Sequence, residues 1–97
     1  MSYKLTFIPI AKKEWDKLDN SIKQQFKKKL KERLENPRTP KNKLSGYNDI
    51  YKIKLRNKGY RLLYEVNDNE IVIIVLTIAK RENNLVYKNL ENIKGKK

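Results

Sequence analysis

Lys52 and Lys54 alternate with Tyr51, Ile53 and Leu55, and a few residues later Arg61 stands between Tyr60 and Leu62. Residues two apart on a strand project from the same face, so each run separates its cations from its apolar side chains. If the runs form a hairpin that pairs Leu55 with Tyr60, Lys54 lies opposite Arg61 and Ile53 opposite Leu62. Tyr51, Ile53, Leu55, Tyr60, Leu62, Tyr64 and Val66 then share a face apolar enough to lie under helices, and Lys52, Lys54 and Arg61 share the other. Like charges directly opposite on a ladder repel, and a fold keeps them at a cost. A second hairpin pairing Val66 with Ile71 places Thr77 opposite Tyr60 and brings Lys80 and Arg81 out near Arg61. A helix starting directly afterwards carries Tyr87 toward the same end. Four or five cations from three segments, with a phenol beside them, suit a phosphate; a solvated basic face is the other reading of the same residues.

The composition points the same way. Twenty-four Lys and Arg against 11 Asp and Glu give a formal charge of +13, which implies a polyanionic partner. There is no histidine and no cysteine, which removes the usual general base, a thiol nucleophile, disulfides and thiolate zinc sites. Glu14, Glu32 and Glu65 are scattered without paired or metal-ligand spacing, so neither a metal nor another cofactor is expected. Proton transfer is left to groups that start badly: tyrosine and lysine titrate near 10 and 10.4, about 3 pH units above neutrality. Crowded cations lower both. Lys52, Lys54 and Tyr87 all remain candidates for the base, and Arg61 and Arg81 suit a developing phosphorane and its leaving group.

These side chains need a scaffold, and 97 residues at 38% hydrophobic allow one small domain, residues 1–97, ending in a basic tail at 94–97. Alternation over residues 3–8 predicts a strand, and Pro9 opens a short helix that buries Ala11, Trp15 and Leu18. Ser21 is the expected N-cap of a second helix whose apolar stripe is Ile22, Phe26, Leu30 and Leu34. Its lysines, with Arg33, read as the wet face, and Trp15 and Phe26 as core. Asn36-Pro37 ends it, and residues 38–49 read as a loop. Strands follow at 50–55, 60–66 and 71–79, the last apolar on both faces as a central strand is. A final helix is expected over 84–93. The fold class is therefore α+β: a mostly antiparallel four-stranded sheet in the order β-α-α-β-β-β-α, with the two N-terminal helices on one face. The longest apolar run, 71–78, falls short of the roughly 20 residues that span a bilayer, and the first residues show no signal-peptide pattern. A soluble cytoplasmic protein with no membrane partner is expected.

Five stretches carry a resemblance over almost the whole chain: Lys13-Glu14-Trp15-Asp16-Lys17-Leu18, Asn42-Lys43-Leu44, Tyr51-Lys52-Ile53-Lys54-Leu55-Arg56, Gly59-Tyr60-Arg61-Leu62, and Ala79-Lys80-Arg81-Glu82 followed by Val86-Tyr87. In this ordered set the sequence resembles the RelE toxins of toxin-antitoxin systems. The resemblance implies a single-domain ribonuclease that enters the ribosomal A site on the 30S subunit, against 16S rRNA, and cuts mRNA by 2′-hydroxyl attack. It implies a RelB-type antitoxin as partner, and operator DNA as a target of the toxin-antitoxin complex. It places Lys52, Lys54, Arg61, Arg81 and Tyr87 at the family's catalytic positions, with Arg56 and Lys80 as neighbouring RNA contacts. Many relatives carry Arg where this chain has Ser45, so the expected RNA contact is either weaker here or relocated to Lys41 or Lys43. ParE-like gyrase inhibitors share the fold, and a non-catalytic nucleic-acid binder would share the charge. The Lys-x-Lys strand with Arg81 and Tyr87 favours RelE.

Overall fold

A computed structural model of the chain describes residues 2–56 and 59–95. Asn57-Lys58 of the first hairpin loop and Lys96-Lys97 of the basic tail lie outside the described residues. The elements are β1 (Lys4–Phe7), α1 (Pro9–Asp16), α2 (Asn20–Glu35), β2 (Ile50–Leu55), β3 (Tyr60–Asn67), β4 (Val72–Lys80) and α3 (Leu85–Lys94), with short 3-10 turns at Pro40–Asn42 and Glu82–Asn84. The strand order is β1-β4-β3-β2, with β1 parallel to β4 and the other pairs antiparallel. The sheet is thus mixed, and β4, apolar on both faces, is one of its two central strands.

Helices α1 and α2 cover one face. Trp15, Phe26 and Leu30 pack there against Ile53, Leu62 and Tyr64 in the larger core cluster. The opposite face is divided. Ile50, Leu63 and Leu76 are buried under Val86 and Leu90 of α3, and the Lys52–Lys54–Arg61 end of the same face is left for solvent. Helix α2 starts earlier than the Ser21 cap predicts. Asp19 is extended (φ −57°, ψ 150°) and accepts the first intrahelical bond from Lys23 at 3.0 Å, which puts Ser21 inside the first turn.

The first hairpin has the expected register, with Leu55 opposite Tyr60, Lys54 opposite Arg61 and Ile53 opposite Leu62. The second does not. Val66 pairs with Ile73 rather than Ile71, and Tyr60 with Lys80 rather than Thr77. Two local features cause this. The turn spans residues 68–71, fixed by Asn67 Oδ1 accepting from the Glu70 amide at 3.1 Å and by Ile71 at a φ of +55°. A bulge then inserts Leu76, since Leu63 faces Thr77 while Tyr64 faces Val75. One extra residue inverts the in-out alternation of everything after it. Lys80 therefore moves to the helix-covered face beside Tyr60, and Arg81 to the open face.

At the far end of the sheet the loop after α2 is fastened by Arg38. Its guanidinium holds Asp68 through two bonds of 3.1 and 3.0 Å and reaches Asp49 at 3.2 Å. Arg38 first and the Tyr3 hydroxyl second hold the Asp68 carboxyl below its ordinary value.

Candidate active site

The site is built where β2, β3 and the end of β4 meet. Lys54 and Arg61 face each other across the β2–β3 ladder. The Arg81 amide donates to the Gly59 carbonyl at 2.7 Å, tying the end of β4 to the residue that leads into β3. Gly59 sits at a φ of +68°, where a side chain would be strained. Lys54, Arg56, Tyr60, Arg61 and Arg81 line a cleft of about 330 Å³ there. Among the described residues none of its cations is in an ion pair with a carboxylate. The first turn of α3 delivers Tyr87, whose hydroxyl accepts from Arg61 Nη1 at 3.2 Å. The guanidinium carbon lies 5.6 Å from the ring centroid.

The uncompensated charge has a consequence for Lys54. Its ammonium is pushed below the ordinary lysine value, by Lys52 most strongly, then by burial and by Arg61, Arg56 and Arg81. The cations around Lys54, which lines both this cleft and the one beside it, thus make its charged form costlier than in water.

A second cleft of about 350 Å³ adjoins the first and shares Lys54 and Arg56 with it. Lys29, Arg33, Lys41, Asn42, Lys52 and Ile53 complete its lining. Lys52 is therefore on the cationic face but opens to this neighbouring cleft. Lys41 lines it as well. Lys43 pairs through its backbone with Tyr51, and its exposed side chain lines neither cleft. Lys80 stacks over the Tyr60 ring at 5.9 Å on the helix-covered face. Ser45 is exposed and lines neither cleft.

Arg33 is the residue that the wet-face reading of α2 missed. Its Nη1 donates to the Lys52 carbonyl at 3.2 Å and to the Tyr64 hydroxyl at 2.9 Å, and that hydroxyl donates to the Pro37 carbonyl at 2.6 Å. This chain of bonds docks α2 and the following loop onto the strand that carries both lysines. The signal was present in the spacing, because a position seven residues after Phe26 returns to within about 20° of the same helix face. Arg33→Ala is expected to lower the unfolding free energy by about 1–3 kcal/mol, the cost of two part-buried bonds to a charged donor. Urea unfolding should show a lower midpoint at unchanged slope; an unmoved midpoint would show that the bonds contribute nothing.

The family model described as the ParE toxin of the type II toxin-antitoxin system parDE matches residues 5–85. The mRNA interferase toxin RelE of Escherichia coli K12 is 52% identical over 87 residues, covering 90% of this chain and 92% of that protein. The chain belongs to the RelE/ParE toxin family. Among solved RelE structures, an arginine-to-alanine double mutant of E. coli RelE in the free state matches with a TM-score of 0.89 at 47% identity, over 97% of this chain and 99% of that one. RelE in the intact E. coli RelBE toxin-antitoxin complex matches at 0.81 and 50% identity, over 84% of this chain and all of that one. In this chain Lys54, Arg56, Arg61 and Arg81 surround one cleft, with Lys52 and Lys41 in the next.

Proposed function

We propose that this chain is the toxin of a type II toxin-antitoxin pair and an endoribonuclease that cuts mRNA in the ribosomal A site. The observation that carries the reading is the convergence of Lys54, Arg56, Arg61 and Arg81 on one cleft without a paired carboxylate, with the Tyr87 hydroxyl against Arg61. A packing role does not call for unpaired cations held face to face, and a scissile phosphate does.

RNA brings its own nucleophile. A base takes the proton of the 2′-hydroxyl, the O2′–P bond forms, the P–O5′ bond breaks, and an acid protonates the departing 5′ oxygen. Lys52, Lys54 and Tyr87 are the available proton-transfer groups, and Arg61 and Arg81 stabilise the dianionic phosphorane and the leaving oxygen. Lys41 and Arg56 extend the phosphate contacts along the second cleft, and Lys43 and Lys80, outside both clefts, add to the positive charge of the surface. Such weak acid-base groups leave much of the rate to alignment of the 2′-hydroxyl for in-line attack, which the 30S A site and 16S rRNA supply by holding the message. The RelBE complexes among the related structures support a RelB-type antitoxin as partner, with operator DNA as the target of the assembled pair. Among the described residues no helix is long and apolar enough to cross a membrane, and a cytoplasmic site of action is where the ribosome is met.

The test is a translating extract with primer extension on the message. Cleavage that appears only on translated messages, while the same free RNA stays intact, is the expected result. Intact message together with inhibited gyrase supercoiling would replace this reading by the ParE-like one.

A further inference from the structure

The β4 bulge carries a polar chain that the cleavage chemistry does not use. Thr77 is fully buried. Its hydroxyl donates to the Glu14 carboxylate at 3.2 Å and accepts from Asn89 Nδ2 at 3.2 Å. The same carboxylate accepts the Ile78 amide at 2.9 Å. Strand β1 ends at Phe7, opposite Val75, so the Ile78 amide has no strand partner on that edge and Glu14 takes the strand's place. A carboxylate can only accept, which fixes the direction of the Thr77 hydroxyl and leaves its lone pairs for Asn89. The chain thus runs from α1, through the sheet at the bulge, to α3.

Helix α3 has ten residues and starts without a side-chain cap, so tertiary contacts must hold it. Val86 and Leu90 seat it on the sheet, but apolar contact alone permits roll about the helix axis. Asn89 and Tyr87 lie about 160° apart around that axis, on opposite flanks of the apolar stripe. On one flank Asn89 is pinned to β4; on the other Tyr87 meets Arg61 and Lys94 meets Glu65, both on β3. We propose that Asn89, held by the Thr77 hydroxyl that Glu14 orients, is a positioning residue for Tyr87: it fixes the roll of α3 and so the place of the Tyr87 hydroxyl against Arg61. The inference rests on the reading of Tyr87 as part of the cleavage site.

Two measurements test it. Amide hydrogen exchange of the free toxin reads the helix without any assay of activity: Asn89→Ala should speed exchange in α3 by about tenfold, the loss of one such bond, and leave β3 and β4 unchanged. Cleavage at saturating programmed ribosomes should fall about tenfold in Asn89→Ala and in Thr77→Val, with KM unchanged, and return in Thr77→Ser, which keeps the hydroxyl. In a Tyr87→Phe background Asn89→Ala should add little, because both changes act through one group. Unchanged α3 exchange, full activity of Asn89→Ala, or effects that multiply with Tyr87→Phe would each overturn the proposal. A native chain that fails to cut message would defeat the functional reading instead, with the exchange data still deciding whether the polar chain holds α3.

Discussion

Lys54→Ala and Arg81→Ala each lower message cleavage on programmed ribosomes by at least about 100-fold, the usual loss when a preorganised charge or a proton-transfer group is removed from an active site. Growth inhibition disappears with it. The fold is retained, because Arg81 is exposed and Lys54 only half-buried. Lys54→Ala also removes a cation that faces Arg61, so its urea midpoint should equal or exceed that of the native chain. Lys52 first, and the neighbouring arginines after it, hold Lys54 below the ordinary lysine value. Between the depressed native value and the ordinary lysine value the unfolded chain binds more protons than the folded one, so stability rises with pH across that interval. With Lys54 as the base, cleavage rises with pH up to the depressed value and then levels, and any activity left in Lys54→Ala loses that limb. Cleavage by folded Lys54→Ala or Arg81→Ala within about threefold of the native rate would remove these residues from the mechanism.

The cation pair was legible in the sequence because alternation is strict over residues 51–55 and is broken only at Leu63 over 60–66, and a four-residue loop then leaves one register that keeps Tyr51, Ile53, Leu55, Tyr60, Leu62 and Tyr64 on one face. The helical stripe of α2 was legible for the same kind of reason. The β4 register was not. The run 71–79 is apolar on both faces, so sliding it by two residues costs no visible mismatch, and nothing in Val75-Leu76-Thr77 marks a bulge. Ile71 compounds the difficulty, since a β-branched residue at positive φ is an uncommon turn former. The exchange of faces between Lys80 and Arg81 follows from that one inserted residue. Arg33 and Glu14 were missed differently: each is a charged residue on an amphipathic helix whose partners, the Lys52 carbonyl and the Ile78 amide, are backbone groups that only the fold brings near.

A message with hydrogen in place of the 2′-hydroxyl at the scissile position is expected to bind in the A site and remain uncut, a loss of more than about 10⁴-fold because the nucleophile itself is gone. Occupancy should be nearly unchanged, since the cations of both clefts recognise phosphate rather than sugar. A 2′-deoxy message cut at a measurable fraction of the native rate would mean that water or a protein group attacks the phosphorus.

The central claim is that a cation-lined cleft without histidine cuts RNA by using the RNA's own hydroxyl, and the chemical ends of the fragments test it most directly. Internal attack leaves a 2′,3′-cyclic phosphate, or the 3′-phosphate formed by its opening, on the upstream fragment and a 5′-hydroxyl on the downstream one. End-group analysis of message cut on programmed ribosomes should return those termini, and a 3′-hydroxyl with a 5′-phosphate would contradict the account even if cleavage of the message were confirmed.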